Sequence, residues 1–234
     1  MFKEKKNAIC IIPARSGSKR IKNKNIIDFC GKPLISYSIQ IAIKSRLFER
    51  IIVSTDSVEI SKIAIKYGAE VPFLRSKKLA DDYTGTNDVM RDAINKIGSN
   101  NIKYHCCIYP TAPLIEVEDL INAFNKIKKK NYDCLIATNS YNSNPLRSFR
   151  VIKDKISFKW KVFAQKRSQD LENLIHDSGT FYIYNTKKLL KFKKMLKATS
   201  FYNIDKFRSV DINTFQDLKF AEFLCKYKKF KKKL

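Results

Sequence analysis

The sequence predicts a doubly wound α/β fold on a mostly parallel sheet. Four short β-branched runs are apolar almost throughout, as strands buried on both faces must be. Helix-length amphipathic segments separate them, and this alternation is the pattern of βαβ units. A chain of 234 residues suits one domain, and its 44% hydrophobic content supports a sizeable core.

The strands are expected at "AICII" (8–12), "RIIVST" (50–55), "YHCCIY" (104–109) and "DCLIAT" (133–138). The first helix is expected over 33–46, with Gly31 ahead of it and Pro33 in its first turn, where a missing N–H costs little. A second, over 58–67, ends at Gly68, a natural C-terminal cap. Segments 87–97 and 117–130 give the third and fourth. After Thr138 the alternation stops. "NSYNSNPLRSF" reads as a loop, and "RVIKDKISFKWKVF" as a hairpin turning near Asp154 and Lys155. "GTFYIYN" (179–185) returns as a strand, and a helix over 214–226 closes the domain. Residues 139–176 are thus an excursion from the main sheet, suited to a lid or a dimer contact.

A formal charge of +25 admits nucleic acid, an anionic membrane surface or anionic small molecules as partners. The lysines are spread along the chain, with one cluster of six in "KYKKFKKKL". This basic stretch, 226–234, is expected to be a solvated terminal tail, and a nucleic-acid-binding module is the remote alternative. No apolar run reaches the length of a membrane span, and no apolar signal region follows the first lysines, so a cytoplasmic protein is expected. The six cysteines form no C-x-x-C pair, and adjacent Cys106 and Cys107 point to opposite faces of a strand. They read as buried free thiols.

One loop stands out. "IPARSGSKRIKNKN" leaves the first strand and sets Arg15, Lys19, Arg20, Lys22 and Lys24 around Gly17. In a doubly wound sheet, ligands bind beyond the carboxyl ends of the strands. A glycine between Ser16 and Ser18 lets backbone N–H groups approach phosphate oxygens. The spacing matches neither generic phosphate-loop motif, so on spacing alone a phosphate site and a solvated basic loop stand level.

The loop resembles the N-terminal signature of sugar-acid cytidylyltransferases, P-A-R-x-x-S-K-x-x-x-x-K-N, and "GKPLISYSI", "IIVSTDS" and "YPTAPLI" follow in that family's order. The resemblance extends from residue 9 to about 221. It implies a Rossmann-like nucleotidyltransferase, a homodimer, and condensation of CTP with a keto sugar acid to give a CMP-sugar and pyrophosphate, assisted by Mg²⁺. Ala14, Arg15, Ser16, Gly17, Ser18 and Lys24 are then expected on the triphosphate, with Asn25 and Arg75 near the cytidine. Arg15, Lys24 and Asp211 are the expected catalytic set. The family's D-x-D-T metal motif stands here as Asp-Ile-Asn-Thr, so Asp211 is the expected principal ligand and Asn213 a weaker or water-mediated one. Asp217 is either a further acid of the site or a polar residue of the closing helix. In-line displacement at phosphorus relies on positioning and charge neutralisation, which agrees with a chain of two histidines and no nucleophile–base pair.

Two branches of the family compete. Sialic acid enzymes usually carry Gln where Tyr109 stands and end the later motif Asn-Gly-x-x-Tyr. The pseudaminic acid branch carries His-Asp-x-Gly-x-Phe-Tyr, matched by His176, Asp177, Gly179, Phe181 and Tyr182. The resemblance therefore favours pseudaminic acid, with sialic acid as the alternative. Tyr109, Arg147, Arg167, His176, Asp177 and Phe181 are the expected sugar-acid residues, the arginines because guanidinium pairs with carboxylate in bidentate fashion. Phe181 and Tyr182 adjoin on one strand, so one of them should face the core.

Overall fold

A computed structural model describes residues 7–191 and 198–231, without the side chains of 229–231. The order is β1 (Ala8–Pro13), β2 (Asp28–Phe29), β3 (Lys32–Pro33), α1 (Leu34–Ser45), β4 (Ile51–Ser54), α2 (Val58–Lys66), α3 (Thr86–Lys96), β5 (Tyr104–Ile108) and α4 (Val117–Lys130). There follow β6 (Cys134–Ser140), β7 (Phe149–Ile152), β8 (Lys155–Phe158), β9 (Ile175–Asn185), α5 (Thr186–Lys191), β10 (Thr199–Asn203) and α6 (Phe215–Lys231).

Six strands form the main sheet in the order β10-β6-β9-β5-β1-β4. β1 runs parallel to β4 and β5, and β10 parallel to β6. Only β9 is antiparallel, wedged between β5 and β6. The fold is therefore α/β on a mostly parallel sheet, as expected, with β9 the antiparallel exception. Period-two alternation splits each strand between two cores. Cys10, Ile12, Cys106, Ile108 and Phe181 face α1 and α4, where Ile35, Ile39, Leu120 and Phe124 are buried. Ile9, Ile11, Cys107 and Tyr184 face α3 and α5, with Met90, Ile94 and Leu189. Cys106 and Cys107 thus lie on opposite faces as expected; no cysteine is in a disulfide, and all but the half-buried Cys30 are buried.

Several local expectations change. Pro33 lies outside α1: its backbone is extended (φ −55, ψ 134) and it pairs with Asp28 in the small β2–β3 hairpin. Gly31 marks the turn of that hairpin, where it and Cys30 both have positive φ, the conformation a two-residue turn between twisted strands demands. The excursion is shorter than expected, because Asn139 and His176 still pair across the main sheet and only 141–174 leaves it. Its hairpin turns at Lys153 and Asp154, and β7 and β8 form a sheet of their own. The short β10, unforeseen, adds an edge strand. α6 continues to Lys231, so most of the presumed tail is helical, and 232–234 lie outside the described residues. Lys228 reaches the N-cap residue of α4 and pairs with Glu116.

A third core ties the C-terminus to the first loop. Leu218, Ala221 and Cys225 of α6 pack with Ile212 against Ile21, Phe29 and Leu34. This packing carries residue 211 to the mouth of β1 from nearly two hundred residues away.

Candidate functional site

The carboxyl ends of β1 and β5 open into a cleft of about 780 Å³. Arg15, Ser18, Lys24, Asn25, Arg75, Tyr109, Asp177 and Asp211 all line it, converging from five segments. Lys19 and Arg20 of the basic loop and Tyr182 of the later motif also line it, as do Asp81, Asp82 and Thr86, to which motif reading assigned no role.

The basic loop is built from its ends inward. The Ala14 N–H donates to the Ser54 carbonyl at 2.9 Å, extending the β1–β4 ladder into the loop. Ala14 is fully buried, so only its backbone can serve a ligand. Ser16 is fixed by Asp56, at the tip of β4: its N–H donates to Oδ1 at 2.9 Å and its hydroxyl to Oδ2 at 2.7 Å. Burial raises the Asp56 pKa, but these two bonds prevail and hold it below the usual carboxylate value. The buried Asn25 amide donates to the Arg15 carbonyl at 2.8 Å and closes the loop from the other side. Gly17 lies outside the left-handed region, and a Cβ there would meet no atom within 4 Å. The fold itself therefore has no need of glycine at 17; an approaching ligand would.

The cationic groups differ in environment. Lys24 donates to the Ile212 carbonyl at 2.8 Å, joining the loop to the C-terminal segment. Burial lowers its pKa, Asp211 counters this, and Arg20 and Arg15 reinforce it. Arg15 reaches across the cleft to residues 80–82, donating to the Asp81 carbonyl at 2.5 Å and pairing with Asp82 at 2.6 Å. Arg75 is only 5% exposed, and neither Nε nor Nη2 has a hydrogen-bond partner. Its own N–H donates to the Thr55 carbonyl at 2.7 Å, which fixes the backbone while leaving the guanidinium in the cleft wall. Burial lowers its pKa, with the Asp56 charge opposing. Two unsatisfied donors on a buried cation are costly unless a ligand accepts them.

The opposite wall is aromatic. Tyr109 hydrogen-bonds Thr86 through their hydroxyls, and its ring meets that of Tyr182 edge-on at 5.6 Å. Tyr182 donates to Asp177 Oδ2 at 2.5 Å, and Asp177 Oδ1 accepts the Gly179 N–H at 2.8 Å. Burial pushes the Tyr109 hydroxyl up to about 12, and the Tyr182 hydroxyl above its ordinary value, so both remain protonated donors at neutral pH.

Four expected sugar residues lie elsewhere. Phe181 is fully buried in the core facing α1 and α4: alternation along β9 sends it away from the cleft and puts Tyr182 there instead. Arg147 donates to the Lys166 carbonyl at 2.8 Å, and Arg167 forms a two-pronged pair with Asp170 at 2.8 and 3.0 Å. Both belong to the excursion and are absent from the cleft wall of this chain. His176 also lies outside it, its ring against Tyr141 and its Nδ1 donating to the Asp177 carbonyl.

At the expected metal position, Asp211 lines the cleft, with its carboxylate 3.8 Å from where a Cβ on Gly179 would lie. The Asn213 amide donates to Asp211 Oδ2 at 2.6 Å, so it faces the acid as a donor and its side chain lies outside the cleft. Asp217 accepts from the N–H groups of Asn213 and Thr214 at 3.0 and 2.7 Å, so its role is to cap the entry to α6. No cluster of three or more acidic, His or Cys side chains suited to a metal occurs among the described residues. One exposed carboxylate facing a cationic loop is a donor set that fits magnesium, which keeps several waters and takes few protein carboxylates as ligands.

A family model described as Cytidylyltransferase matches residues 9–233. The pseudaminic acid cytidylyltransferase of Campylobacter jejuni serotype O:2 is 40% identical over 222 residues, covering 93% of this chain and 96% of that protein. The N-acylneuraminate cytidylyltransferase of Escherichia coli O18:K1:H7 is 31% identical over 217 residues, covering 91% of this chain and 51% of that protein. Among solved structures, CMP:2-keto-3-deoxy-manno-octonic acid synthetase complexed with CTP superimposes with a TM-score of 0.73 at 14% identity, covering 94% of this chain and 99% of that one, a likeness of fold.

Proposed function

The chain belongs to the cytidylyltransferase family, and on that premise we propose that it condenses CTP with pseudaminic acid to CMP-pseudaminic acid and pyrophosphate. The anomeric hydroxyl oxygen of the sugar acid attacks the α-phosphorus. The bond from that phosphorus to the β-phosphate oxygen breaks, pyrophosphate leaves, and the hydroxyl proton passes to solvent. The observation that carries this reading is the convergence in one cleft of the cationic loop, the buried Arg75 with two idle donors, and Asp211.

Each group has a task in that scheme. Arg15 and Lys24 hold the triphosphate and neutralise charge, joined by backbone N–H groups from Ser16 to Ser18. Asn25 and Arg75 receive the cytidine side. Asp211 would hold magnesium, which when bound would supply further charge neutralisation. Asn213 steadies Asp211 through its amide. Tyr109, Tyr182 and Asp177 border the sugar acid, the two rings offering apolar surface that suits a deoxygenated, acylated sugar. The protein acts as a cytoplasmic homodimer, with the excursion as the contact. Arg147 and Arg167 then contribute only across that contact.

The substrate choice rests on the higher identity and fuller coverage of the Campylobacter jejuni pseudaminic acid relative and on Tyr109 in the cleft wall. Pyrophosphate release, measured with CTP, magnesium and each nonulosonic acid in turn, tests it. Turnover is expected with pseudaminic acid and CTP; preferential turnover of N-acetylneuraminate overturns the substrate, and no turnover of any acid with CTP overturns the activity.

A further inference from the structure

The loop between α2 and α3 lays a carboxylate across the cations of the β1 loop. Asp82 Oδ1 lies 2.6 Å from Arg15 Nη2, and its Oδ2 lies 2.5 Å from Lys19 Nζ, so a single acid spans both. Nη1 of Arg15 is engaged as well, donating to the carbonyls of Asp81 at 2.5 Å and Ala80 at 3.4 Å. The neighbouring acid does something different. Asp81 turns its carboxylate back onto its own loop, accepting the N–H groups of Tyr83 at 3.0 Å and Thr84 at 2.6 Å. Thr84 in turn donates its hydroxyl to the Lys78 carbonyl at 3.2 Å. Asp81 thus shapes the loop, and Asp82 projects from it onto the cations.

We propose that Asp82 is a resident anion of the triphosphate site, competing with the nucleotide for Arg15 and Lys19 and so setting the affinity for CTP. This rests on the reading that Arg15 holds the triphosphate. The physical reason is Coulombic. A carboxylate bridging two cations cancels one of their two positive charges and stands beside the place where a highly anionic ligand must sit. The pairs are solvent-accessible, with side-chain exposures of 34% for Arg15, 81% for Lys19 and 33% for Asp82. Contacts of this kind are weak enough for a ligand to displace. Before nucleotide arrives, Asp82 keeps the two cations from repelling each other. On arrival, the phosphates replace it, and the loop from Ala80 to Thr84 is released to rearrange over the cleft. Tyr83, at the tip of that loop and 94% exposed, is the side chain this movement would carry.

The test is the dissociation constant for CTP alone, by calorimetry at low and at physiological salt, for wild type, Asp82→Asn and Asp81→Asn. Both substitutions remove one negative charge from the same exposed loop, but only the first removes it from the Arg15–Lys19 bridge. Asp82→Asn is expected to bind CTP roughly three- to tenfold more tightly, the scale of one or two exposed ion pairs, with a smaller gain at higher salt. Asp81→Asn is expected to stay within about twofold of wild type, since an amide oxygen still accepts the loop N–H groups. Weaker or unchanged binding by Asp82→Asn, or equal gains in both variants, overturns the proposal. Arg15→Gln separates this from the underlying site assignment: wild-type CTP affinity in that variant removes Arg15 from the triphosphate site altogether. In steady state, Asp82→Asn should lower KM for CTP more than it changes kcat, a split that a purely structural role would not give.

Discussion

At the scale of single residues, Arg75 shows the conflict between stability and binding most plainly. A guanidinium at 5% exposure with two unpartnered nitrogens is a liability in the free protein. The nearby Asp56 charge offsets it only partly, because both Asp56 oxygens are already engaged by Ser16. Replacing Arg75 with methionine keeps the aliphatic stem and removes the buried charge. The free protein should gain about 1–3 kcal/mol, the cost of burying unsatisfied donors, and melt a few degrees higher. Binding of CTP should weaken at least tenfold in the same variant. Opposite signs for melting and affinity are what a ligand-receiving arginine predicts; a destabilised variant would make Arg75 a structural residue. Phe181 and Tyr182 carry the complementary lesson. Period-two alternation said that one of them faces the core but not which, and the antiparallel insertion of β9 decided for Phe181.

At the scale of elements, the parallel strands were legible because burial on both faces leaves little that is polar in them, and α4 was legible as a helix-length amphipathic segment, whose entry Glu116 and Asp119 cap reciprocally. The β2–β3 hairpin was not legible: two-residue strands carry no periodicity, and Pro33 imitates a helix start. The site was legible where a motif lay in one segment, as in the Arg15–Asn25 loop. It was not where residues such as Asp82 and Thr86 join the cleft only through tertiary packing. The excursion is a third case, visible as a break in rhythm but silent about its partner. Its hairpin exposes Phe149, Val151, Ile152 and Ile156 at 49, 75, 65 and 64%, too much apolar surface to leave in water. The proposed dimer would cover it. Val151→Lys together with Ile156→Lys should therefore convert a dimer to a monomer in light scattering, while the melting temperature of the main sheet changes little. A wild-type monomer at the same concentration, or a dimer unaffected by both lysines, would place the contact elsewhere or abolish it.

At the scale of the whole molecule, one buried histidine outside the cleft wall should contribute to acid sensitivity. His105 is fully buried on β5, its Nε2 with the Ser99 hydroxyl at 2.9 Å and its Nδ1 with the Thr186 hydroxyl at 2.7 Å. Burial lowers its pKa from 6.5 to about 4. The folded value lies below the unfolded one, so the neutral ring is favoured by folding. Its contribution is complete above about pH 6.5 and declines as pH falls toward 4, because the unfolded chain takes up a proton that the native state refuses. The slope is about 1.4 kcal/mol per pH unit and the total about 3 kcal/mol. A formal charge of +25 adds a second acid cost, since every carboxylate protonated at low pH removes a counter-charge from an already repelling chain. Salt separates the two: it screens the diffuse repulsion but leaves the desolvation of one interior imidazole almost untouched. Urea unfolding at pH 7, 5.5 and 4.5, with and without added salt, should therefore show a salt-resistant loss of stability in wild type. In His105→Gln, which keeps hydrogen-bonding groups but cannot titrate, that salt-resistant component should vanish even though the variant starts from a lower stability. An equal salt-resistant loss in both proteins would move the acid sensitivity from this side chain to the carboxylates.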